Sequence, residues 1–80
     1  MKRDISDISF VGSVPENIVN LPELGVLDIA GNQFSGAFPG LVSKGTVSDL
    51  DISRNAFTGS LGFIEGYTFL VNLYVMWNFN

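Results

Sequence analysis

The sequence predicts an α/β solenoid, in which short parallel strands from successive repeats of the chain stack side by side. Two stretches share one pattern of apolar residues and asparagine, LGVLDIAGNQFSGAFP at 24–39 and VSDLDISRNAFTGSLG at 47–62. Asn32, Asn55 and Asn78 mark equivalent positions and are each 23 residues apart. A fixed period of this length is the signature of a repeat architecture.

The 80 residues divide into about three and a half predicted repeats within one domain. They are a partial repeat at 1–15, two full repeats at 16–39 and 40–62, and an incomplete repeat at 63–80. The first copy is degraded, because Ile8 stands at its asparagine position and Arg3 and Ile5 stand where Leu27 and Ile29 stand later. The last copy stops just after its asparagine, so we expect a fragment or a short relative of a longer array.

Each repeat is expected to supply one short strand and one outer segment. Leu27 and Ile29 point inward from the strand of the second repeat, because alternate strand residues face one side. The outer segment of that repeat contains Ile18, Leu21 and Leu24, a spacing that predicts a short helical or 3₁₀ turn. The matching segment of the next repeat contains two glycines, which favours irregular loop. One repeat alone leaves half its core exposed, so successive strands must stack as a parallel sheet, about 4.8 Å apart.

Two recurring residue types are predicted to have structural roles. An asparagine amide has two donors and an acceptor, so it can satisfy backbone groups that are buried where the chain turns off each strand. The phenylalanines two residues later are expected to stack in a column that begins at Phe10. The predicted structural residues are Asn32, Asn55, Asn78, Phe34 and Phe57.

Composition excludes several classes of function. The chain has four basic and eight acidic residues, a net charge of −4, which argues against a nucleic-acid partner. It has no cysteine and no histidine, so disulfides, thiolate metal sites and the usual nucleophile–base pairs are absent. The sequence contains no apolar run of signal-peptide length, and none approaches the ~20 residues of a membrane-spanning helix. We therefore expect no cofactor, no metal and no direct membrane insertion by this chain.

The segments LDIAGNQFSGAFP and LDISRNAFTGSLG, together with VGSVP at 11–15, resemble the plant-type extracellular leucine-rich repeat, LxxLxxLxLxxNxFxGxIP. The resemblance implies a curved solenoid with strands on the concave face, often with a second short strand beside the G-x-I-P segment. It also implies a protein or peptide ligand and an extracellular or cell-surface location, as in receptor-like kinases, receptor-like proteins and polygalacturonase-inhibiting proteins. The chain departs from the family pattern in having no cysteine-bearing caps, signal peptide, transmembrane helix or kinase domain.

The solvent-facing strand positions give a candidate ligand site. The middle position of successive strands holds Asp4, Asp28, Asp51 and Tyr74, which forms an acidic ridge ending in an aromatic residue. Carboxylates about 5 Å apart repel by roughly 1 kcal/mol in water, so a basic peptide or protein is the predicted partner. The candidate ligand-binding residues on this concave face are Asp28, Asp49, Asp51, Arg54, Tyr74 and Trp77.

Each candidate also has a plainer interpretation. The aspartates could simply keep the sheet face solvated. Arg54 and Trp77 share a repeat position with Gly31 and could form a cation–π pair, or Trp77 could be exposed only because no repeat follows it.

Two carboxylates about 5 Å apart would suit a retaining glycosidase, but an open sheet face offers no pocket for such chemistry. A calcium site would need about six or more oxygens, usually from one loop.

The sequence therefore predicts a non-catalytic module that binds a protein or peptide through its concave face, as in cell-surface recognition, signalling or defence. The alternative is a structural segment that self-associates through the open ends of the solenoid, because an unpaired edge strand is a template for further strands. Changes in the aspartates distinguish the two, since they would weaken ligand capture and leave assembly intact.

Overall fold

The computed structural model describes residues 2–59 and 65–76. Trp77, Asn78 and the end of the third predicted repeat lie outside the described residues. The elements in chain order are β1 (Lys2–Asp4), β2 (Val11–Gly12), α1 (Glu16–Val19), β3 (Val26–Asp28), β4 (Gln33–Ala37), β5 (Asp49–Asp51), β6 (Ala56–Thr58) and β7 (Asn72–Tyr74).

The described strands form two parallel sheets. The larger has the order β1-β3-β5-β7 and the smaller the order β2-β4-β6, so each strand pairs with the equivalent strand of the next repeat. In the larger sheet, Leu27 pairs with Arg3 on one side and with Leu50 on the other, and Leu50 pairs with Leu73. The smaller sheet lies where the resemblance implies a second short strand. Parallel strands in two sheets with little helix are compatible with the predicted repeat solenoid.

The larger sheet buries one face and exposes the other. Leu27 and Leu50, the central residues of β3 and β5, are fully buried, while the residues on either side of each are only partly buried. Ile29 and Ile52 are also fully buried and continue the same alternation beyond the strands. The core therefore lies behind the sheet, and the intervening side chains face solvent.

The outer segments differ between repeats, as their sequences predict. In the second repeat, Glu16–Val19 forms one α-helical turn that begins after Pro15 and buries Ile18, so the segment is α-helical and not 3₁₀. A proline cannot donate a backbone hydrogen bond inside a helix, and Pro22 shortly follows the end of this turn. The matching segment at 41–47 folds as turns without a helix.

Asn32 holds two repeats together at the point where the chain leaves β3. Its side-chain amide donates to the carbonyl oxygens of Ile5 and Ile29, both at 2.9 Å, and its Oδ1 accepts from the N–H of Phe10 at 3.0 Å. The residue is only 7% exposed. These backbone groups lie in turns, where strand pairing does not reach them, so the amide supplies the partners that burial demands.

Asn55 repeats this arrangement one position along the array. Its amide donates to the carbonyl oxygens of Ile29 at 3.0 Å and Ile52 at 3.1 Å, and its Oδ1 accepts from the N–H of Phe34 at 3.1 Å. The side chain thus bonds both its own repeat and the preceding one, as that of Asn32 does. The asparagines bridge each turn to its predecessor.

An aromatic column runs beside these asparagines. The ring centroids of Phe10 and Phe34 lie 6.0 Å apart, and those of Phe34 and Phe57 lie 6.2 Å apart, both in stacked geometry. Phe38 closes on Phe57 in an edge-to-face contact at 5.4 Å. Phe34 and Phe57 are at most 1% exposed, so they fill the core between the two sheets.

Replacing Asn32 by alanine is expected to lower the free energy of unfolding by about 3 kcal/mol or more, because each buried polar group left without a partner costs about 1–3 kcal/mol. Urea denaturation followed by circular dichroism measures the loss. Asn20→Ala removes the same side chain from an exposed site and should change stability by less than about 0.5 kcal/mol. Equal losses in the two variants would contradict the bridging role of Asn32.

Candidate functional site

Three aspartates and a tyrosine form one row on the face of the larger sheet that points away from the core. We call this solvent-exposed side, the predicted concave face, the outer face of the sheet. Asp4 pairs with Asp28, Asp28 with Asp51, and Asp51 with Tyr74, each on adjacent parallel strands. Neighbouring strands lie about 4.8 Å apart, and these residues flank the buried central positions, so their side chains share the solvent-facing side. We call Asp4, Asp28, Asp51 and Tyr74 the aspartate row.

Each aspartate of the row also stabilises the turn that follows its strand. Oδ1 of Asp4, Asp28 and Asp51 accepts a hydrogen bond from the backbone N–H two residues later, at 3.0, 3.1 and 3.0 Å respectively. The hydroxyls of Ser6 and Ser53 add second bonds to Oδ1 of Asp4 and Asp51. This pattern is the Asx-turn, in which a short acidic side chain mimics a backbone turn. One oxygen of each carboxylate therefore has a structural partner.

Asp28 and Asp4 differ in their electrostatics. Partial burial raises the pKa of Asp28, the hydrogen bond from the Ala30 N–H opposes that rise, and repulsion from Asp51 and Asp4 adds to it. At the edge strand, the hydrogen bonds from Ser6 lower the pKa of Asp4. Ionisation is therefore less favourable for Asp28, in the middle of the sheet, than for Asp4 at its edge.

Asp49 lies on the same face but is held by its neighbours. Its Oδ2 accepts from the Ser48 hydroxyl at 3.1 Å, and its Oδ1 accepts from the side-chain amide of Asn72 on the next strand. The pairing of Asp49 with Asn72 across β5 and β7 follows directly from the strand register. Both carboxylate oxygens of Asp49 thus have partners within the sheet.

Arg54 forms an ion pair that the sequence analysis did not predict. Its Nη1 lies 2.9 Å from Oδ1 of Asp7, and the two side chains are 53% and 62% exposed. Asp7, Gly31 and Arg54 occupy the same repeat position on three successive turns, so the ion pair passes over the glycine. The predicted cation–π partner, Trp77, lies outside the described residues, and that pairing stays a prediction.

Gly31 makes the ion pair possible. Its φ is +70°, and a Cβ at this position would overlap Oδ1 of Asp7 and lie 2.9 Å from Nη1 of Arg54. A side chain at Gly31 would therefore separate the two charged groups. The signal was present in the sequence as opposite charges on either side of a glycine in one repeat column, but they are two repeats apart.

Tyr74 ends the aspartate row as an aromatic residue that is 53% exposed. It lies on β7, at the opposite edge of the larger sheet from Asp4. The structure thus places Asp28, Asp51 and Tyr74 side by side. Arg54 lies beyond the end of β5, three residues after Asp51.

Within residues 2–59 and 65–76, no helix has the length and apolar character needed to cross a bilayer. In the same part of the chain, no three or more acidic side chains are grouped so that they could hold a metal ion. A cavity of about 410 Å³ elsewhere in the described residues is lined by other side chains than those of the aspartate row.

Comparison with known proteins gives a relationship over most of the chain. The chain is 36% identical over 66 residues to Receptor-like protein 54 of Arabidopsis thaliana. The match covers 80% of this chain and 8% of that relative, so the chain spans less than a tenth of its length. No family model matches the chain, and no solved structure matches it significantly. The similarity points to a receptor-like relationship.

Asp28→Asn is expected to stabilise the fold at neutral pH by less than about 1 kcal/mol, since solvent screens this partly exposed site. The folded pKa of Asp28 lies above the ordinary 3.8. Folding therefore disfavours the ionised carboxylate, and the free energy of unfolding falls as the pH rises from 3.8 through the raised pKa of Asp28. Asparagine keeps the Oδ1 acceptor for the Ala30 N–H but carries no charge.

Urea denaturation of the wild type and of Asp28→Asn, at neutral pH and below pH 3.8, measures the difference in their free energies of unfolding. This difference should be smaller at the acidic pH. Asp4→Asn is the matched control, because hydrogen bonds lower the pKa of Asp4 and removing its charge should give no gain. A loss of stability in Asp28→Asn at neutral pH would contradict the electrostatic argument.

Proposed function

We propose that this chain is a non-catalytic segment of a leucine-rich repeat solenoid that binds a basic protein or peptide through the outer face of its larger sheet. The aspartate row supports this proposal most directly. Three carboxylates on adjacent strands repel one another, and a cationic ligand lying across the strands would relieve that repulsion. The similarity to a receptor-like protein agrees with a role in recognition at the cell surface, in signalling or defence.

The hydrogen bonds of the aspartates leave capacity for such a ligand. Oδ1 of Asp28 and Oδ1 of Asp51 hold their turns, while the second carboxylate oxygen of each makes no hydrogen bond to a described residue. Those oxygens can accept from lysine or arginine side chains of a partner. Charge-assisted bonds of this kind are roughly twice as strong as neutral ones.

The remaining candidates contribute unequally to the proposed contact. Tyr74 offers an exposed aromatic surface next to Asp51. Tyrosine is one of the residue types that are enriched among interface hot spots. Asp49 and Arg54 are already engaged, by Asn72 and Asp7 respectively, so a ligand would have to compete for them. Trp77 stays a candidate from the sequence.

A non-catalytic role fits the surroundings of the row. Catalytic carboxylate pairs need environments that separate their pKa values and exclude water. The row lies on an exposed sheet face, and the 410 Å³ cavity is lined by a different set of residues. A surface of this kind suits association with another polypeptide.

Removing the central charges should weaken binding of a basic peptide about tenfold, because each exposed ion pair is worth up to about 1 kcal/mol. The test compares the wild type with the Asp28→Asn, Asp51→Asn double variant, using a capped Lys-Ala-Lys-Ala-Lys peptide and calorimetry or amide chemical shifts. Asparagine preserves the turn acceptors, so the folds should match by circular dichroism. Added salt should weaken wild-type binding.

The control for this experiment is the Glu16→Gln, Glu23→Gln double variant, which removes the same net charge from exposed sites away from the row. It should bind the peptide as the wild type does. Equal weakening in both double variants would show a general charge effect and contradict the proposed site, as would unchanged binding in the aspartate variant.

Self-association remains a second candidate because the surroundings of β7 are apolar and exposed. Phe69, Val71 and Met76 are 60%, 76% and 65% exposed. Leu73 and Val75 pack partly against the core, so a charge there would threaten the fold. At the opposite edge, Arg3 occupies the slot of Leu27, which disfavours direct stacking of that edge on the apolar edge of another copy.

Sedimentation equilibrium over a range of concentrations tests this candidate. Val71→Glu should shift any oligomer towards the monomer by placing a charge on the exposed apolar edge, while Val42→Glu, at a site 62% exposed on another part of the surface, should leave it unchanged. Peptide binding should be normal in both variants. Oligomers that resist Val71→Glu, or a chain that is monomeric throughout, would exclude assembly through this edge.

A further inference from the structure

A cavity of about 410 Å³ that is open to solvent lies beside β1, at the edge of the larger sheet. Two of its lining residues, Arg3 and Phe10, are themselves exposed. It is separate from the aspartate row, whose side chains face the other side of the sheet. Its volume falls within the range of about 300–1,000 Å³ that is usual for small-molecule sites. The lining residues are Arg3, Ile5, Phe10, Pro15, Asn17 and Ile18.

Arg3 is the unusual member of this lining. It pairs in register with Leu27, which itself pairs with Leu50, and both of those leucines are fully buried on the core side of the sheet. The register therefore directs Arg3 towards the core side, where it lines the cavity. At this edge Arg3 stays exposed, and its guanidinium stands at the position where β3 and β5 have a buried leucine.

The guanidinium of Arg3 has no anion beside it in the described structure. Residues 2–59 and 65–76 hold one ion pair, and it joins Arg54 to Asp7. Asp4, the neighbour of Arg3, faces the other side of the sheet and accepts from Ser6. An arginine beside apolar walls favours a planar anion, because its fork of donors matches a carboxylate in geometry and charge.

We propose that this cavity binds a small carboxylic acid with an aryl or alkyl body. The carboxylate lies on the guanidinium of Arg3, and the apolar body packs against Ile5, Phe10 and Ile18. Asn17 offers an amide at the rim for a second polar contact. One positive charge in the lining matches one carboxylate. This site is independent of the proposed peptide-binding face.

The experiment is a titration of the isotope-labelled chain with phenylbutyrate, followed by backbone amide chemical shifts. Saturable shifts are expected at millimolar concentrations, centred on residues 3–5 and 17–18. Phenylbutyramide has the same body without the charge and should bind about tenfold more weakly, as expected for the loss of a charge-assisted contact.

The Arg3→Met variant keeps the length and apolar stem of the side chain and should bind the acid and the amide equally. Lys2→Met, which removes a neighbouring cation of β1 that does not line the cavity, should keep the wild-type preference for the acid. Circular dichroism confirms that each variant is folded.

Three results would overturn the proposal. They are the absence of saturable shifts around the cavity, equal affinity of the wild type for the acid and the amide, and a preference for the acid that survives Arg3→Met. None of them bears on the aspartate row, because the peptide-binding test uses different residues and a different probe.

Discussion

The hydrogen bonds of the turn asparagines set the geometry on which the rest of the structure depends. Asn32 joins the carbonyls of Ile5 and Ile29, and Asn55 joins those of Ile29 and Ile52, so each amide ties a turn to the one before it. Every bond of this kind fixes the offset between neighbouring repeats at one value. The registers of both sheets follow from that offset, and with them the alignment of the aspartate row and of the stacked phenylalanines.

Much of this arrangement could be predicted from the sequence, because the residues that mark the repeat period are each suited to one structural role. A buried turn needs donors and an acceptor at one point, which asparagine supplies, and the constant spacing of Asn32 and Asn55 then predicts which residues lie side by side. Prediction of Asp28 beside Asp51 needs no more than this. The short α-helical turn after Pro15 was harder to predict, since a few residues with apolar spacing suit an α-helical or a 3₁₀ turn equally well.

The ion pair between Asp7 and Arg54 could not be predicted from the repeat period alone. Adjacent repeats contact each other by construction, but these residues are two repeats apart, and a side chain normally stands between them. Only the combination of a long arginine, a glycine at Gly31 and a positive φ at all three positions brings the charges to 2.9 Å. The pair is largely exposed, so it contributes little to stability. It does reduce the availability of Arg54 for a ligand.

The aspartate row serves both the fold and the proposed ligand, and the hydrogen bonds show how the two roles can be separated. The turn needs an oxygen acceptor from Asp28, which the Ala30 N–H contacts, but it does not need the charge. The raised pKa of Asp28 shows that the fold in fact disfavours that charge. If turn geometry alone determined the residue, asparagine would satisfy the same N–H without the electrostatic penalty. A cationic partner on the outer face of the sheet, as proposed above, is an interaction that would offset this cost.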